Sequence, residues 1–150
     1  MELKEISMFE DLTESELKSL KKIVTEYECK EREILCKEGD PGDRMFIVTS
    51  GAVEIKKKMA ENQAISLARL LPGEVFGELS LFDDTPRSAS VQALTSARIL
   101  IVKKKDFLNL IQADPKLGLK LTIWLVNKTS KRLRKADEII RDLTTNLFQL

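Results

Sequence analysis

The chain has 150 residues, 43% hydrophobic and 33% charged, with 25 Lys and Arg against 24 Asp and Glu and no histidine. That size fits one domain, 1–150, with a sizeable core, and the near-zero net charge implies no strongly basic or acidic partner. The missing imidazole excludes histidine-ligated metal sites, nucleophile–histidine pairs and imidazole acid–base catalysis; an enzyme would have to work through carboxylate, lysine, tyrosine or cysteine.

No apolar stretch is long enough to span a membrane, and the opening "MELKEISMFEDL" lacks the basic and apolar regions of a secretory leader. The two cysteines, Cys29 and Cys36, are too few for a disulfide framework. A reducing cytoplasm is the compartment these features fit.

In chain order, residues 13–26 predict a helix. Thr13 and Glu16 have capping-box spacing, and Leu17, Leu20, Ile23, Val24 and Tyr27 follow at helical intervals. From about residue 32 turn signals recur, with short β-prone runs between them: Ile34–Cys36, Met45–Val48, Val53–Ile55, Ile65–Leu71, Ser88–Ala93 and Arg98–Val102. Short strands at this spacing predict a β-sandwich or jelly roll over about 30–103. "TSGA" reads as a hairpin turn, and "KKKMAENQA", 56–64, as a solvated hairpin tip.

After Val102 the period becomes helical, with C-terminal helices expected over about 104–147. Asp106 opens a short helix through Ile111, and Asp114-Pro115 puts proline in the first turn of a longer helix to about residue 147. Val126, Leu133, Ala136, Ile140, Leu143 and Leu147 form a narrow seam whose steps from Leu133 are those of a coiled coil. The seam suits either docking on the sheet or pairing with a second copy in a homodimer.

The segment "GEVFGELSLFDDTPRSASVQA", 73–93, concentrates features that turns alone do not require. Gly77–Leu81 predicts one helical turn between strands, and a helix N-terminus presents unpaired N–H groups that favour an anion. Gly77 permits close approach to the backbone. Arg87, set behind Pro86, offers a fork of donors suited to phosphate, and Ser88 adds a hydroxyl beside it. Glu78, an acceptor when ionised, suits a sugar hydroxyl. Taken singly, Glu78 and Arg87 read as a surface ion pair; with the glycine and the spacing they form a set for a ribose phosphate.

The stretch "FGELSLFDDTPRSASV", 76–91, resembles the phosphate-binding cassette of the cyclic nucleotide-binding domain family, and "EGDPGDRMFIVTSGAVEI", 38–55, resembles that family's early hairpin. The family includes the catabolite activator protein, regulatory subunits of cAMP-dependent protein kinase and cyclic-nucleotide-gated channels. The resemblance covers about residues 6–140. It implies an α+β, mainly β fold: a jelly-roll-like β-roll (double-stranded β-helix) with an N-terminal helix, a short cassette helix and C-terminal helices. It implies a non-enzymatic sensor or regulatory module whose ligand is cAMP or, less commonly, cGMP, with no metal, no other cofactor and an unidentified effector protein. The implied ligand-binding residues are Phe76, Gly77, Glu78, Leu79, Ser80, Pro86, Arg87, Ser88 and Ala89, with Glu78 on the ribose 2′-hydroxyl and Arg87 on the cyclic phosphate.

In that family the last helix covers the base, which places Ala136 and Asp137 near the purine. The catabolite activator protein has hydroxyl residues there, so this chain departs from the pattern. Asp137 is read either as an acceptor for the base or as a solvated residue of the polar helix face. The basic run "KTSKRLRK", 128–135, reads as a solvated helix face rather than a nucleic-acid contact. No helix-turn-helix pattern follows the long helix, so DNA binding by this chain alone is not expected. The alternatives are a ligand-free interaction domain of the same fold and a transcription-factor fragment.

Overall fold

A computed structural model describes residues 1–60 and 62–149. Two 3₁₀ turns, Leu3–Glu5 and Ser7–Phe9, lead into helix α1, Glu14–Lys21. Eight strands follow: β1 Val24–Cys29, β2 Ile34–Cys36, β3 Arg44–Ser50, β4 Val53–Ala60, β5 Gln63–Leu70, β6 Val75–Phe76, β7 Ser90–Ala93 and β8 Ala97–Lys103. A 3₁₀ turn, Glu78–Leu81, interrupts them, and helices α2, Lys104–Ala113, and α3, Pro115–Phe148, close the chain.

The strands form two four-stranded sheets, ordered β1-β8-β3-β6 and β2-β7-β4-β5, with antiparallel pairing throughout. The fold is therefore mainly β, a β-roll with an N-terminal helix and C-terminal helices.

The sequence of β3 explains the layering. Met45, Phe46, Ile47 and Val48 are all buried because both faces of the strand are covered. Met45 and Ile47 enter a core shared with Phe9, Leu20, Phe107, Leu117 and Leu121 from the helical elements. Phe46 and Val48 enter a second core between the sheets, with Val53, Phe76, Val91 and Ile99.

Two local expectations are corrected. The first helix ends at Lys21, and 24–29 is strand β1 instead. Val24, Thr25 and Tyr27 are β-branched or aromatic, and pairing with β8 along Val24–Cys29 outweighs their helical spacing. The lysine-rich segment is a solvated hairpin tip as expected, and within it β4 and β5 continue their ladder to the Ala60–Gln63 pair, because a ladder's hydrogen bonds need no apolar face. Asn62, at φ 63°, occupies the left-handed region at the turn. The short helix α2 starts at Lys104 rather than Asp106.

Thr13 and Glu16 do form a reciprocal capping box, and Asp114 caps α3 by accepting from the Leu117 N–H at 3.1 Å, with Pro115 at the first helical position.

Candidate functional site

The segment after β6 turns back under the second sheet and builds one wall of a cavity of about 280 Å³, near the lower end of the range for small-molecule sites. Phe76, the last residue of β6, stacks on Phe46 with centroids 4.7 Å apart. Gly77 then takes φ 74° and so caps the 3₁₀ turn Glu78–Leu81. A Cβ at Gly77 would lie 2.4 Å from Arg87 Nη1, so the glycine serves both the backbone conformation and the close approach of the arginine.

Arg87 is 8% exposed. Its Nη1 donates to the Gly77 carbonyl at 3.3 Å and to Ser80 Oγ at 3.1 Å, its Nη2 donates to the Arg44 carbonyl, and the guanidinium lies 5.4 Å from the centre of the Phe46 ring. Those bonds use three of the donors and leave two of the five in the fork. Arg87 takes part in none of the ion pairs among the described residues. A buried cation held directly by neutral acceptors, with no ion pair among the described residues, is a site prepared for an anion.

Glu78 is 4% exposed and lies on the same cavity. Its carboxylate accepts from Arg132 Nη1, and Arg132 Nη2 donates to the Val75 carbonyl at 2.6 Å. The paired carboxylate keeps acceptor capacity for a hydroxyl. Cys36 also lines the cavity, and burial pushes its thiol pKa up, so it contributes as a small apolar group. A larger cleft of about 480 Å³ is also lined by Arg87, but polar groups on it are already engaged: Asp43 pairs with Arg44 and Glu33 accepts from Tyr27.

The cavity brings together Phe76, Gly77, Glu78, Leu79, Ser80, Pro86, Arg87, Ser88 and Ala89. Asp137 is not among the lining residues and sits on the exposed stretch of α3. The residue of α3 that lines the cavity, among the described residues, is Arg132, held beside the cassette by Glu78 and the Val75 carbonyl. Its only signal in the sequence is its place in the basic run 128–135, where nothing separates it from its solvated neighbours.

Residues 26–114 match the family described as the cyclic nucleotide-binding domain. The chain belongs to the cyclic nucleotide-binding domain family. This cyclic nucleotide-binding domain is 38% identical over 100 residues to the cyclic AMP receptor protein of Thermus thermophilus, covering 67% of this chain and 44% of that protein. It is 39% identical over 79 residues to the cAMP-dependent protein kinase regulatory subunit of Emericella nidulans, covering 53% of this chain and 18% of that protein. The chain thus spans less than half the length of these curated relatives. Among solved structures, it resembles a cyclic nucleotide-binding domain from Methylobacillus flagellatus, with a TM-score of 0.81 and 29% identity over 91% of this chain and 78% of that one. It also resembles the Thermus thermophilus catabolite activator protein, with a TM-score of 0.77 and 31% identity over 91% of this chain and 62% of that one.

Proposed function

We propose that the domain is a regulatory module that binds a cyclic nucleotide, cAMP ahead of cGMP, and passes the binding event to its C-terminal helices. The observation that carries this is the buried Arg87, without an ion pair among the described residues, facing the same cavity as the buried Glu78. Arg87 takes the cyclic phosphate through its remaining donors, and Glu78 accepts from the ribose 2′-hydroxyl while Arg132 holds it in place. Gly77, Ser80, Pro86, Ser88 and Ala89 shape the phosphate end; Phe76 and Leu79 supply apolar contact. Asp137 belongs to this reading as a base acceptor that α3 would have to bring inward. The preference for cAMP rests on relatives named for it, the Thermus receptor and the Emericella regulatory subunit.

Calorimetric titration with cAMP and cGMP tests the assignment. Saturable binding of one mole per chain is expected, weakened by about 1–2 kcal/mol for the 2′-deoxy analogue and equally in Glu78→Gln. Absence of binding to either nucleotide would favour the ligand-free interaction domain. The module is proposed to act without catalysis, so the nucleotide should be recovered intact.

The reading includes a cytoplasmic setting, an effector protein and a homodimer through α3. Leu133, Ile140, Leu143 and Leu147 are all more than half exposed on α3, and a helix of that length gains most of its stability from packing. Sedimentation equilibrium of the wild type against Leu133→Glu tests the dimer: two monomeric species would remove it.

A further inference from the structure

Strand β4 carries Val53, Ile55 and Lys57 on one face. Val53 belongs to the inter-sheet core and Ile55 lines the cavity, so Lys57 brings that face to the cavity mouth. Its ammonium donates to the Ser88 carbonyl at 2.6 Å and lies 2.9 Å from Glu38 Oε1. Glu38 is fastened twice more. Its Oε2 accepts from the Lys58 N–H at 3.2 Å, and its own N–H donates to Ser90 Oγ at 2.9 Å.

The loop that Glu38 opens runs directly along the arginine. The Gly39 N–H donates to the Arg87 carbonyl and the Arg87 N–H to the Asp40 carbonyl, both at 2.8 Å. Residues 86–89 lie outside any strand, since β7 begins at Ser90. No sheet ladder therefore sets their main chain; the 38–40 loop and Lys57 bond to it, in addition to the bonds of the Arg87 side chain. Hydrogen bonding from Lys57 holds the Glu38 carboxyl below its ordinary value.

We infer that the Glu38–Lys57 pair is a clasp that joins β4, the 38–40 loop and the cassette exit, and that it positions Arg87 and Ser88 for an anionic phosphoryl group. Both are positioning residues, since neither lines the cavity. The inference rests on the nucleotide reading for its ligand, and its effect is preorganisation: a guanidinium and a Ser88 main chain already in place lose less freedom on binding.

Two measurements test it. In calorimetry with cAMP, Lys57→Met and Glu38→Gln should each weaken binding about three- to tenfold. The double variant should lose no more than the more affected single one, because both act through one contact. Lys57→Arg should stay within about twofold, since it keeps the charge and the donors. Unchanged affinity in Lys57→Met, or losses that add in the double variant, would overturn the clasp. Amide exchange without nucleotide is the second measurement. Exchange at Gly39 and Arg87 should quicken in Lys57→Met, and unchanged exchange there would overturn the clasp whatever the ligand. Faster exchange in a protein that binds neither cAMP nor cGMP would uphold the clasp as a positioning device and overturn the nucleotide reading alone.

Discussion

Arg87 is costly to bury and forms no ion pair among the described residues, so the fold pays for its position with carbonyl and hydroxyl acceptors from Gly77, Ser80 and Arg44. Two substitutions separate its ligand role from its structural one. Arg87→Lys keeps the charge but loses the fork, and should weaken cyclic nucleotide binding by about 1.5–3 kcal/mol, roughly ten- to hundredfold. Arg87→Leu should lose at least as much binding. It should also lower folding stability by about 1–3 kcal/mol, because the Gly77 and Arg44 carbonyls are left without donors. Calorimetry and urea unfolding read the two effects, and wild-type affinity in Arg87→Leu would take the residue out of the site.

At the scale of elements, the cassette turn depends on a residue without a side chain. Gly77→Ala meets an unfavourable φ of 74° and sets a Cβ 2.4 Å from Arg87 Nη1 and 3.2 Å from the Arg44 carbonyl. The backbone strain should cost about 1–2 kcal/mol of stability, and the displaced guanidinium should reduce nucleotide affinity further, which titration of the folded variant would show.

A second junction ties α1 to α3. Glu16 accepts from Lys120 Nζ at 2.8 Å and from the Thr13 N–H at 2.9 Å, and these bonds hold its carboxyl below the ordinary value despite partial desolvation. A depressed folded-state pKa means stabilisation that is present above the unfolded carboxylate value and lost as pH falls through the folded one. Glu16→Gln should therefore be less stable than the wild type near neutrality, and the gap should close in acid. Urea midpoints across the acid range measure this; a constant gap would mean that Glu16 acts through packing rather than charge.

For the whole molecule, the coupling proposed between cassette and helices has visible contacts to work through. Phe82, just past the cassette turn, meets Phe107 of α2 edge-on at 6.1 Å. Lys104 at the start of α2 donates to the Asp83 carbonyl at 2.9 Å, and Arg132 of α3 holds Glu78. Ligand shifts such an ensemble only by binding its states unequally, and about 1–3 kcal/mol is usual. Hydrogen exchange should show added protection on nucleotide binding at 77–90 and also at 125–147. Protection confined to 77–90 would leave a binding site without a coupled helix.

What the sequence by itself determined was local chemistry: the capping box at Thr13, the Asp114-Pro115 helix start and the turn glycines, set by bonds or backbone geometry within a few positions, and the residue types and spacing of the cassette. The resemblance of 76–91 and 38–55 to a known family added the roll and the order of its helices. Tertiary structure decided the rest. Val24–Cys29 became a strand because β8 offers a partner along its whole length, a pairing across some seventy positions that no local period records. Arg132, rather than Asp137, reached the cavity because the direction in which α3 leaves the roll selects which of its charged residues faces Glu78. Lys57 read as part of a solvated hairpin tip, and nothing singled out Glu38, for the same reason. Their partners lie on other segments, and only the packing of β4 against the cassette exit brings an ammonium onto the Ser88 carbonyl.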